Sequence, residues 1–248
     1  SKLTSITIDI DSSVINVEGH QEGATKGYNP KKLGNRCYNI QFAFCDELKA
    51  YVTGFVWSGN TYTANGAAEL IKEIVATLKK DDLEILFRMD SGYFDEEIIE
   101  TIESLGCNYL IKAKVYSTLA SQVADSSILF VKGAEGRETT ELFTKLDKWE
   151  KSRRFVVSRV LKPEKERAQL CLLEGSEYEY FFFVTNTKLL SEAVVILYEK
   201  RGNAENYIKE AKYDMAVGHL LLKSFWANEA VFQMMMLSYN LFLLFKFD

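Results

Sequence analysis

The sequence predicts a mixed α/β fold, and three observations carry that prediction. Residues 3–57 contain three runs of β-branched or alternating apolar residues, the pattern of an antiparallel meander. Between about 63 and 115 the apolar period changes from 3.6 to 2 and back, which reads as helix, strand, helix, strand. No Gly/Ser-rich or Pro-rich linker divides the 248 residues, whose two prolines are Pro30 and Pro163, so one compact unit (1–248) with an insertion is expected.

The first strand is read over 3–11, in LTSITIDIDSSV. The stretch after it holds Gly19, Gly23, Gly27, Gly34 and the Asn29-Pro30 pair, turn chemistry over too long a span for a hairpin. Its Lys26, Lys31, Lys32 and Arg36 suit either a solvated loop or a grip on a phosphate backbone. CYNIQFAFCD (37–46) and KAYVTGFVW (49–57) alternate as antiparallel strands. Thr63 or Asn65 can cap a helix whose buried stripe is Ala67, Leu70, Ile71, Ile74, Val75 and Leu78. A strand at 83–89, a helix from Phe94 to Leu105 stopped by Gly106, and a strand at 108–115 follow.

Residues 116–178 are expected to form a β-rich insertion, with strands in RRFVVSRV and AQLCLLE around a charged turn, and YEYFFFVTN (178–186) reads as the next strand. Trp149 lies in this insertion beside Lys148, Lys151 and Arg153. It suits an ordinary core position or a stacking surface for an unpaired base. SEAVVILYEKRGNAENYIKEAKYD is read as one helical segment. The apolar tail from Ser224 is interrupted by Asn228, Glu229, Gln233, Ser238 and Asn240, which argues against a membrane span and for a buried helix that closes the core.

The four cysteines show no metal-finger spacing, so a reduced, cytoplasmic setting is expected. A net charge of −5 is not that of a typical nucleic-acid binder. The average hides a local excess, because nine cations between Lys145 and Arg167 face four acids. The chain opens on Ser1 and runs straight into a core strand, which suggests a fragment of a longer protein.

Two strands stop on an acid: the first on Asp11, with Asp9 two residues earlier, and the fourth on Asp90, followed by Ser91-Gly92. If the two are parallel neighbours, their carboxylates sit together at the C-terminal edge of the sheet, where open α/β sheets place ligands. On the later helical segment Tyr198, Arg201, Glu205 and Lys212 are spaced three, four and seven apart, along one stripe. Glu205 could then complete a cup of three carboxylates. Asp9 shares the strand parity of Asp11 and could be the ligand in its place.

The order Asp11, Asp90, Glu205, with Tyr198-x2-Arg201-x3-Glu205-x6-Lys212, resembles the DDE transposases of bacterial insertion sequences, in the subgroup marked by a Tyr-Arg-Glu-Lys signature. DIDSSV, RMDSGYF and RGNAENYIKE support the resemblance, which spans nearly the whole chain. It implies an RNase H-like mixed sheet, with the β-rich insertion placed before the last catalytic helix. It also implies metal-dependent cleavage of transposon-end DNA and strand transfer into target DNA in the bacterial cytoplasm, by a homodimer assembled on DNA. Asp11, Asp90 and Glu205 would hold two Mg²⁺ ions, or Mn²⁺ in their place, which suits hard oxygen ligands. The first acid is preferred at Asp11 because in the family a small residue and then Thr follow; here Ser12-Ser13 follow. Tyr198, Arg201 and Lys212 are carried over as DNA phosphate contacts, with Asn203 and Lys209 as lesser candidates and Ser91, Gly92 and Tyr93 shaping the turn. Lys31, Lys32 and Trp149 are further DNA-binding candidates. A nuclease that no longer transposes and a non-catalytic DNA-binding or assembly module are the alternatives.

Overall fold

A computed structural model describes residues 3–27, 34–61, 64–78, 80, 82–124, 127–162, 177–220 and 222–247. Lys31, Lys32, Thr63 and the AQLCLLE run lie outside the described residues. The chain runs β1 (Ser5–Asn16), β2 (Thr25–Lys26), β3 (Arg36–Cys45), β4 (Ala50–Ser58), α1 (Ala67–Leu78), β5 (Glu84–Met89) and α2 (Glu96–Ser104). It continues with β6 (Asn108–Lys112), α3 (Ser117–Val123), β7 (Val131–Lys132), β8 (Arg137–Thr144), β9 (Arg153–Leu161), β10 (Tyr178–Thr185), α4 (Ser191–Glu199), α5 (Gly202–Tyr213) and α6 (Phe225–Phe247). The chain divides into two units: Ser1–Cys107 with Arg201–Asp248, and Asn108–Lys200.

In the first unit β1 lies between β3, antiparallel, and β5, parallel. The register sets Asp9 beside Arg88 and Ile10 beside Met89, and β4 extends the sheet from β3. The β3–β4 turn grips β1, because the Glu47 carboxylate accepts the Thr7 N–H at 2.8 and 3.0 Å. Helix α2 starts where the Asp95 carboxylate accepts from Glu97 N and stops at Gly106, whose positive φ of 63° suits a residue without Cβ.

The core of this unit joins Tyr38, Ile40, Phe42 and Phe44 of β3 to Ala204, Tyr207, Ile208 and Ala211 of α5 and to Phe232, Met236 and Tyr239 of α6. Helix α6 also saturates the outer strand. Glu229 accepts from Val56 N, Gln233 donates to Gly54 O, and Asn240 pairs with both backbone groups of Tyr51. An exposed strand edge would otherwise carry backbone groups open to further pairing. The polar residues that interrupt the apolar tail thus have a structural use, and no helix among the described residues is long and apolar enough to cross a membrane. The expected core-closing helix is buried on one side only. Trp226, Met234, Leu237, Leu244 and Phe245 are exposed on its other side.

In the second unit β6, β10, β9, β8 and β7 form antiparallel pairs in that order. It encloses the whole of 116–178. Helix α3 and strand β8 are additions that the sequence reading did not contain. The mixed α/β class holds.

Candidate active site

Pairing of β1 with β5 ends at Ile10 and Met89, so the next residue on each strand is an acid. Asp11 and Asp90 therefore stand at adjoining strand ends, as the parallel-neighbour expectation required. Beyond that point β1 continues along β3 to Asn16, while the chain after Met89 turns into a 3₁₀ turn at Ser91–Tyr93. Asp90 caps this turn, its Oδ1 accepting from Gly92 N at 2.9 Å. The Asp11 carboxylate accepts from Ser12 N at 2.9 Å. Burial pushes Asp11 up to about 6; Arg201 opposes the shift, and the negative charges of Asp90 and Glu205 add to it. Asp11 thus lies within electrostatic range of both other acids.

The three do not form a closed three-carboxylate cup, for among the described residues no three acids, histidines or cysteines converge closely enough to hold a metal ion. Arg201 intervenes. One of its terminal nitrogens lies 2.9 Å from Asp11 Oδ2 and the other 3.6 Å from Glu205 Oε1. Burial pushes the Tyr93 phenol well above its ordinary range, reinforced by the charges of Asp11 and Asp90, so it stays neutral beside the acids.

Asp9 has a different partner. Its carboxylate takes a fork from Arg88, with Nε–Oδ1 at 2.6 Å and Nη2–Oδ2 at 2.7 Å, and both residues are buried. Of the two candidates for the first acid, Asp11 is the one beside Asp90 and Arg201.

The Tyr198-to-Lys212 stretch is not one helix. Helix α4 ends at Glu199 and α5 begins at Gly202, with Lys200 and Arg201 as the junction. Glycine in a helix interior costs about 1 kcal/mol relative to alanine, which favours a break there. Tyr198 therefore does not share a helix stripe with Glu205; it belongs to the second unit, its ring 4.7 Å from that of Phe183. Lys212, in the last turn of α5, donates to the Val14 carbonyl of β1 at 3.4 Å.

The basic segment of the second unit is largely committed internally. Trp149 is buried and stacked on Phe155, with the Arg153 guanidinium 4.9 Å from its ring centroid. Arg154 binds Glu141 and the carbonyls of Thr187 and Leu189, and Arg159 pairs with Glu138. Lys145, Lys148 and Lys151 are exposed.

Sequence reasoning missed Arg88, Asp46 and Tyr207. The available signal was a lone arginine inside the apolar strand EILFRM, two residues before Asp90, matching Asp9 two residues before Asp11.

The profile of the family described as Transposase DDE domain group 1 matches residues 1–247. Comparison with curated proteins gave no match. Among solved structures, the chain is similar to the piggyBac transposase in a cryo-EM synaptic complex with hairpin DNA, with a TM-score of 0.58 and 12% identity. The match covers 97% of this chain and 47% of that one, so the chain spans about half the length of its structural relative.

Proposed function

Because the chain belongs to the Transposase DDE domain group 1 family, we propose that it is the catalytic part of a bacterial insertion-sequence transposase of the Tyr-Arg-Glu-Lys subgroup. It would cleave transposon-end DNA and transfer the cut strand to target DNA, with Asp11, Asp90 and Glu205 as catalytic acids. The observation that carries this reading is the parallel pairing of β1 and β5, which ends both strands on neighbouring carboxylates.

These side chains suit a divalent ion. They offer hard oxygen donors, and burial, with a smaller contribution from the charges of Asp90 and Glu205, already raises Asp11. A bound Mg²⁺ or Mn²⁺ pair supplies activation of the attacking oxygen and stabilisation of the departing one. Asp11 and Asp90 are held by the sheet and the 3₁₀ turn. Glu205 joins them when Arg201 gives up its contacts, and a DNA phosphate is the natural competitor for that guanidinium, since arginine binds phosphate in a bidentate manner. Tyr93 keeps a neutral phenol against the acids, and Lys212 fixes the far end of α5 to β1. The working assembly is a homodimer on paired DNA ends in the cytoplasm.

The test uses the full-length protein with labelled transposon-end DNA and Mg²⁺ or Mn²⁺. Cleavage and joining abolished by Asp90→Ala or Glu205→Ala, with circular dichroism unchanged, supports the proposal. Cleavage without joining reduces the protein to a nuclease, and binding without cleavage in either metal leaves a non-catalytic module.

A further inference from the structure

Beneath the acids lies a second row of charged groups on the same sheet face. Residues two apart on a strand point the same way, so Asp9 precedes Asp11 and Arg88 precedes Asp90 by one step, about 7 Å along the strand. Arg88 also donates to Asp46 in the β3–β4 turn at 3.0 Å, and the Tyr207 hydroxyl of α5 lies 3.5 Å from the other oxygen of Asp46. The chain Asp9, Arg88, Asp46, Tyr207 therefore touches β1, β5 and α5, the three elements that carry Asp11, Asp90 and Glu205.

Stability alone is a poor reason for this arrangement. Buried ion pairs replaced by apolar residues of similar volume are often neutral or more stable, by about 1–4 kcal/mol. What the fork contributes is geometry. Strands β1 and β5 are buried on both faces, continuously over Ile6–Ile10 and nearly so over Ile85–Met89, but one face of β1 is polar, carrying Ser5, Thr7 and Asp9 in line with Asp11. On such a strand a slip of one residue would carry the buried polar side chains to the isoleucine face, so the register is strongly specified, and the Arg88–Asp9 fork is part of what specifies it. The two bonds from Arg88 to Asp9 form only in the observed register, which is also the one that places Asp11 beside Asp90.

We propose that Arg88 is a positioning residue: through Asp9 it sets the β1/β5 register, and through Asp46 and Tyr207 it sets the seat of α5, so that the three acids meet around a divalent ion. Asp9 on this view is a partner of Arg88 and not a metal ligand. The inference rests on the transposase reading above.

The experiment compares Mn²⁺ affinity, by electron paramagnetic resonance, in the wild-type chain, an Asp9→Leu/Arg88→Met double variant and Arg88→Lys, with urea midpoints measured alongside. The double variant is expected to keep or raise the midpoint while binding Mn²⁺ at least tenfold more weakly. Arg88→Lys retains the charge without the fork and is expected to fall between the two. A double variant that matches the wild-type Mn²⁺ affinity overturns the proposal. Should the double variant not fold, Arg88→Lys decides: wild-type affinity in that variant overturns the proposal, and a loss of affinity with an unchanged midpoint supports it. A wild-type chain that binds no Mn²⁺ overturns the metal-dependent function itself, together with this inference, and is a different result from a variant that matches a metal-binding parent.

Discussion

Proton competition at Asp11 gives the sharpest quantitative expectation. Burial, with the charges of Asp90 and Glu205, raises its pKa from 3.8 to about 6. Metal must displace that proton, because carboxylates bind cations in their ionised form. At pH 7 the group is about 90% ionised and at pH 5 about 10%, so Mn²⁺ affinity should fall roughly tenfold across that interval. An ordinary aspartate would remain more than about 90% ionised at pH 5 and would show almost no change. The sign for stability runs the same way. A folded-state pKa above the unfolded value favours the fold below pH 3.8, and this contribution is lost as pH rises through about 6. The metal-free protein thus carries a burden at neutral pH that the ion relieves, and the rise in Tm on adding Mn²⁺ should be larger at pH 7 than at pH 5. Arg201→Ala provides the internal control. It removes the cation that opposes the shift, so the fall in affinity should move to higher pH, while Mn²⁺ affinity at pH 8 rises because the guanidinium no longer contests Asp11 and Glu205. Titration by isothermal calorimetry at pH 5, 6, 7 and 8 measures both effects. A flat affinity from pH 5 to 7 in the wild type, with the fold intact, refutes the reasoning.

Two further expectations concern packing. A Cβ on Gly54 would stand 2.2 Å from the Gln41 carbonyl across the β3/β4 pair, so Gly54→Ala should lower stability by about 1–3 kcal/mol, seen as a reduced urea midpoint. Trp149→Ala empties a buried site against Phe155 and should cost about 3–5 kcal/mol. Salt-dependent DNA affinity should be unchanged in the folded fraction, and a selective loss of DNA binding at unchanged Tm would return Trp149 to the interface.

Much of the site was legible because its signals are local. A strand that ends on an acid can be read from TIDID and FRMD alone, whereas the parallel relation of β1 and β5 stood only as a condition, because further strands as well as a helix lie between them. The features that escaped depend on partners or on short elements. Strand β8 buries Thr139, Leu142 and Thr144, so two of its inward positions are threonines and its apolar alternation is faint. Helix α3 has only seven residues, too few for a 3.6-residue period to show. The break at Lys200 and Arg201 lies inside a continuous helical stripe, where only Gly202 hinted at it. Asp9 looked like a possible first ligand, and Arg88 drew no reading of its own, until the register paired them. Arg201 looked like a DNA contact by type, yet its observed partners are the acids.

The second unit, Asn108–Lys200, interrupts the first, and this has a temporal consequence for the cell. Asp11 and Asp90 are synthesised before the intervening unit, but Glu205 and the α5 surface that packs on β3 only after it. Closing so long a loop carries an entropic penalty and slows folding. A nascent or prematurely terminated chain therefore holds two of the three acids on an incomplete core. On the proposed reading the third acid joins the other two only once the intervening unit has been made.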